Sequence, residues 1–231
     1  MNVLGIETSG PIGSVAACRD EVVLAEECLE RGMEHGRMLV PLLDRVVGLA
    51  GWDRRRDLDL IAVSQGPGSY TGLRVGMACA KTLAMLLQKP LVGVCSLDAM
   101  AENAPPEQKS VLTILDAKRG QLYAAAYERR SGRLHRTLDP AVMMPAEARD
   151  VLPWPVYVMG DALLTREGEF VPPGYHAAPK EQWQIRASTV ARLGLAAFRG
   201  GRSDEPIGLQ PIYLRLAEAE EKRLARERGH T

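Results

Sequence analysis

The sequence predicts an α/β protein made of two related halves, and three observations carry that expectation. Short apolar runs alternate with stretches of helical periodicity over residues 1–103, the pattern of strands crossed by helices. The run Leu58 to Ser64 is almost continuously apolar, as a strand buried on both faces of a parallel sheet would be. A strand, an acid, a polar turn and a second strand follow one another around Glu7 and again around Asp116, which reads as an internal duplication.

Taken in order, Val3 to Ile6 is a strand that stops at the polar turn Glu7-Thr8-Ser9-Gly10-Pro11. Ser14–Cys18 and Val22–Glu26 are two further strands joined by Arg19-Asp20-Glu21. From His35 to about Ala50 the apolar residues Met38, Leu39, Leu42, Leu43, Val46, Val47 and Leu49 repeat at helical spacing. Pro41 is the weak point of that helix, since proline is costly beyond a first turn. After the strand at 58–64, Gly66-Pro67-Gly68-Ser69-Tyr70-Thr71-Gly72 opens a second helix running to about Gln88, and Leu91–Cys95 is a strand. The composition turns polar with Pro105-Pro106, so a first half at 1–103 is followed by a less regular second half at 104–215. There, Ser110–Leu115, Gln121–Glu128 and Pro155–Met159 read as strands, Ser131-Gly132 as a hairpin turn, and Phe170–Gln184 as a loop. Ser188–Phe198 is a helix with Ser188 as its cap, and 216–231 is a charged helical tail.

Composition removes several function classes. Of 231 residues, 46% are hydrophobic and 25% charged, an ordinary globular balance. Lys plus Arg and Asp plus Glu number 29 each, so the chain lacks the basic excess of a free-standing nucleic-acid binder. Cys18, Cys28, Cys79 and Cys95 form no C-x-x-C pair, which argues against a disulfide framework or a zinc ribbon. The N-terminus has no signal-peptide pattern and no apolar run approaches the ~20 residues of a membrane span, so the expected setting is cytoplasmic. His35, His135, His176 and His230 include no pair at i, i+3 or i, i+4, and no G-x-S-x-G elbow is present.

Two segments can carry chemistry. Gly66, Gly68 and Gly72, with Ser69 and Thr71 at a helix N-terminus, suit close approach to a phosphate, although the Lys-Ser/Thr ending of a P-loop is absent. The other reading of these glycines is a tight turn packing a helix on the sheet. Glu7, Thr8 and Ser9 end the first strand, where ligands and magnesium gather in α/β sheets; alternatively they simply close the turn. The helix from Gly72 to Gln88 is apolar nearly all round, with Lys81 its single charge after Arg74, so it packs in the core or against another subunit. Arg54-Arg55-Arg56 and Arg129-Arg130 with Arg133 and Arg136 read as solvated surface, with phosphate-backbone contact as the alternative.

Ile6-Glu7-Thr8-Ser9, His35-x-Arg37-x-Leu39-x-Pro41 and above all Gly66-Pro67-Gly68-Ser69-Tyr70-Thr71-Gly72-Leu73-Arg74-Val75-Gly76 resemble the TsaB (YeaZ) family. Pro90–Val94 with Ser96-Leu97, Asp116–Gly120, Gly160-Asp161 and Pro211–Arg215 continue the resemblance along nearly the whole chain. It implies an actin-like, sugar-kinase-like (ASKHA) fold of two α/β halves. It also implies a part in placing threonylcarbamoyl on the adenosine beside the anticodon of tRNAs that read ANN codons. In TsaD-like paralogs a V-H-H-x-x-G-H signature supplies metal-binding histidines. Here the matching stretch places Ser96 and Met100 where the histidine pair would be, so no metal and no transfer chemistry are expected in this chain. Glu7 replaces the aspartate usual in related ATPases.

The resulting expectation is a non-catalytic scaffold. It would bind a TsaD-like paralog, with a TsaE-like ATPase joining them, meet tRNA only through the complex, and form a homodimer when alone. The expected partner surface comprises Met38, Leu39, Leu42, Val46, Leu73, Met77, Ala80 and Ala84. No cofactor is expected to be required by this chain, with ATP and magnesium placed at the complex interface. The rival expectations are a small-molecule kinase or ATPase using Glu7, Thr8 and the glycine loop, and a metallopeptidase.

Overall fold

The computed structural model describes residues 1–29, 35–53, 55–153, 155–169 and 174–214. The charged tail from 216, Arg54 and part of the 170–184 stretch therefore lie outside the described residues. β1 (Asn2–Glu7), β2 (Ser14–Arg19) and β3 (Val22–Cys28) form an antiparallel meander. After α1 (His35–Leu49), β4 (Leu60–Gly66) joins β1 in parallel. α2 (Tyr70–Leu87) then returns the chain to β5 (Leu91–Cys95), parallel to β4. The sheet order is β3-β2-β1-β4-β5.

The second half repeats this plan. After α3 (Ser96–Ala101), β6 (Ser110–Asp116), β7 (Leu122–Arg130) and β8 (Arg133–Met143) form a second meander. α4 (Pro145–Arg149) leads to β9 (Val156–Met159), and α5 (Leu163–Arg166) to β10 (Tyr175–Ala177). β9 pairs in parallel with β6 and β10 with β9, so the order β10-β9-β6-β7-β8 matches the first sheet strand for strand and direction for direction. The short echo around Glu7 and Asp116 thus extends to whole sheets.

Alternation along the strands sets the layers. Val3, Leu60 and Ala62 turn inward to a core shared with α3, with α6 (Ala187–Arg199) and with Val111, Ala125 and Met159 of the second sheet. Their neighbours Leu4, Ile6, Ile61 and Val63 turn outward beneath α1 and α2. Leu112, Ile114 and Val158 pack on the far side with Ala148 and Leu163 of α4 and α5. Five layers result: helices, sheet, helices, sheet, helices.

Several local outcomes differ from expectation. Pro41 sits inside α1, yet Arg37 and Pro41 are both exposed, so water can reach the carbonyl that loses its donor. Ser188 is not the cap of α6. The helix begins at Ala187, and the Glu26 carboxylate of β3 accepts from Ser188 N at 2.9 Å and from its hydroxyl. The stretch 170–184 contains β10, whose three residues are too few to show a period. Among the described residues no helix is long and apolar enough to cross a membrane.

Candidate functional site

β1 delivers Glu7, Thr8 and Ser9 to its carboxyl end, and all three are buried. Glu7 Oε1 accepts from Ser9 N at 2.5 Å, Ser9 Oγ at 2.6 Å and Gly10 N at 3.0 Å, so the carboxyl closes its own turn. Glu7 Oε2 is buried without a hydrogen-bond partner of normal geometry. Burial pushes the Glu7 carboxyl above its ordinary value of 4.5, against the pull of the Ser9 and Ser64 hydroxyls and the Gly10 and Ser9 amides.

The folded state therefore binds this proton more tightly than the unfolded chain does. The group's contribution to stability is fully present below 4.5 and falls as pH rises through the raised value. Glu7→Gln keeps the Oε1 acceptor and cannot ionise. Its urea midpoint relative to the parent is expected to climb between acid and neutral pH; a constant difference would show that Glu7 does not titrate in the fold.

The glycine motif meets this turn face to face. Thr8 Oγ1 donates to Gly72 O at 2.8 Å, and Ser69 N donates to Ser9 O at 2.7 Å. Ser69 Oγ accepts from Gly72 N at 3.2 Å and caps α2. A Cβ at Gly72 would lie 2.0 Å from Thr8 O, and one at Gly68 would lie 2.4 Å from Ser9 O. These glycines are small because the chain's own backbone fills the space. Gly66 leads into a cis bond to Pro67, and Ser69 and Thr71 are exposed beside the packed turn. The structure thus brings Glu7, Thr8, Ser9, Gly68 and Ser69 together, with the amides of Ser69 and Gly72 already engaged within the chain.

The partner-facing residues expected from sequence need correction. Leu39, Leu42, Val46, Met77, Ala80 and Ala84 belong to the core under the first sheet, and Leu73 is 1% exposed. Burial of such side chains, worth about 1.5–3 kcal/mol for each large one, stabilises this chain itself. Only Met38 of that set is exposed. The exposed large apolar side chains of the two helices include instead Val40 and Leu49, nine residues apart and so on opposite flanks of the buried stripe of α1, and Met85 and Leu86 of α2, the last 75% exposed.

Other residues gain roles that no sequence pattern announced. The Arg74 guanidinium lies 4.0 Å over the Tyr70 ring, and its Nε donates to Tyr213 Oη at 3.0 Å. Lys81 Nζ donates to the carbonyls of Ile207 and Leu209, so the two cations of α2 hold the segment after α6. Arg129 donates to the Gln108, Gly132 and Ala104 carbonyls, while Arg136 pairs with Asp98 and Arg130 with Glu128. In the second half, Asp116 N donates to Asp161 Oδ1 at 2.9 Å and Lys118 Nζ to Asp116 Oδ2 at 2.9 Å. Burial opposes ionisation of Asp116, but the Lys118 hydrogen bonds and charge outweigh it and hold the carboxyl low. Ser96 and Met100 are both buried, and among the described residues no group of three or more His, Cys, Asp or Glu is placed to hold a metal.

The comparisons with known proteins agree on a family. The family model described as TsaD, tRNA N6-adenosine threonylcarbamoyltransferase, matches residues 30–189. The tRNA threonylcarbamoyladenosine biosynthesis protein TsaB of Bacillus subtilis is 33% identical over 229 residues, covering 96% of this chain and 97% of that one. The protein of the same name from Escherichia coli is 27% identical, covering 93% of this chain and 95% of its own. The solved structure of YeaZ from Pseudomonas aeruginosa shares the fold, with a TM-score of 0.79 at 24% identity over 92% of this chain and 99% of that one. By its motifs, its duplicated architecture and these relatives, the chain belongs to the TsaB (YeaZ) family.

Proposed function

We propose that this protein serves tRNA threonylcarbamoyladenosine biosynthesis as a non-catalytic subunit that binds and supports a TsaD-like catalytic paralog. The observation that carries the reading is the packing of the glycine motif onto Thr8 and Ser9. The backbone that could cradle a phosphate is occupied by the chain's own turn. Ser96 and Met100, both buried, add support, since neither can replace an imidazole ligand. The partner surface draws on the exposed apolar side chains of α1 and α2, among them Val40, Leu49, Met85 and Leu86, which are left in water. In the absence of the paralog the same surface pairs with a second copy. A TsaE-like ATPase joins the assembly in the cytoplasm, ATP and magnesium bind at the boundary between subunits, and tRNA is met through the complex.

The test is a dropout reconstitution with tRNA, threonylcarbamoyl-adenylate, ATP, a TsaD-like chain and a TsaE-like ATPase, with modified adenosine quantified. Product is expected only when this chain is present, and none from this chain alone. If its omission changes nothing, the scaffold reading fails and a small-molecule kinase or ATPase becomes the function to test by calorimetry with ATP.

A further inference from the structure

A cavity of 440 Å³ lies where the turn after β1 faces the second half, within the size range of small-molecule sites. Its body is apolar, built by Ile12, Met100, Leu115, Trp183 and Ile185. Trp183 Nε1 donates to Ala178 O at 2.9 Å, so the indole offers the cavity its ring. The Ser9 hydroxyl is turned to Glu7. Two charged side chains of opposite sign share the lining: Asp161, from the turn after β9, and Lys180, from the segment after β10. Asp161 Oδ1 accepts from Asp116 N, and among the described residues its carboxyl has no ion-pair partner. Burial pushes that carboxyl up, helped by the charge of Asp116 and opposed by the Asp116 amide and Lys118.

We propose that this cavity binds a free amino acid with an apolar side chain, its ammonium on Asp161, its carboxylate on Lys180 and its side chain against the apolar wall. A zwitterion satisfies both charged groups at once. A hydrocarbon leaves the desolvated Asp161 uncompensated, and a polyphosphate brings several negative charges toward Asp161, the acid of the lining. The inference stands apart from the scaffold reading: an amino-acid site here neither requires nor excludes a paralog on α1 and α2.

L-phenylalanine titrated into the full chain tests it, read on the indole N–H resonance of Trp183 after assignment with Trp183→Phe. A saturable shift is expected. 2-Phenylethylamine and 3-phenylpropionate, each lacking one charge, are expected to bind about tenfold more weakly or worse, the scale of one charge-assisted hydrogen bond. Asp161→Asn, which keeps the acceptor for Asp116 N, and the exposed Lys180→Met should each weaken L-phenylalanine by a similar factor. No saturable shift at about 10 mM ligand, or equal binding by the analogues or by both variants, would overturn the proposal. Displacement of L-phenylalanine by ATP would overturn its charge argument and favour a nucleotide in the cavity.

Discussion

Gly72→Ala is expected to destabilise the protein by about 3 kcal/mol or more, although Gly→Ala inside a helix ordinarily gains up to about 1 kcal/mol. The reversed sign comes from Thr8, whose carbonyl oxygen would lie 2.0 Å from the new Cβ. That oxygen is backbone at the end of β1 and cannot move without dragging the turn that Glu7 closes. Gly76→Ala should cost less, because the atom met at 2.1 Å is Thr8 Oγ1, which can rotate at the loss of its bond to Gly72 O, about 1 kcal/mol. Gly48 in α1 has nothing within 4 Å, so Gly48→Ala should stabilise by about 0.5–1 kcal/mol. Urea midpoints at constant m separate the three. Equal shifts for Gly72→Ala and Gly48→Ala would show that the glycine motif is not packed on the turn and leave it open to a ligand.

The second large effect is on association. Leu86→Asp is expected to leave the unfolding midpoint within about 0.5 kcal/mol of the parent, because Leu86 is 75% exposed. It should weaken binding to a TsaD-like chain by about thirtyfold or more, the size of an interface hot spot. Val40→Asp and Met85→Asp should act alike. Met77→Asp, by contrast, places a charge in the core beneath the first sheet and should unfold the chain outright. Sedimentation of the mixed chains, beside melts of each variant alone, distinguishes the two classes. Unchanged association in all three surface variants would place the partner surface elsewhere.

These contrasts mark where sequence stopped. A stripe such as Leu39, Leu42, Val46 has the same period whether it packs on its own sheet or on another chain, so the spacing found α1 but not its buried side. Glycine spacing likewise records only that something comes close at Gly68 and Gly72. Whether that is phosphate or the carbonyls of Thr8 and Ser9 depends on β1, more than fifty residues earlier in the chain. α3 and β10 escaped because six and three residues show no reliable period.

The sequence by itself determined the α/β class, the duplicated plan and, through the eleven-residue glycine motif and its companions, the family. Those properties are written in local periodicity and in contiguous residues. The tertiary structure alone decided which apolar faces are core, which carboxyls lose their water, and that Ile12, Asp161, Lys180 and Trp183 line one cavity. Burial and close approach are relations between segments distant along the chain, and they take a definite value only when the two sheets close around α3 and α6.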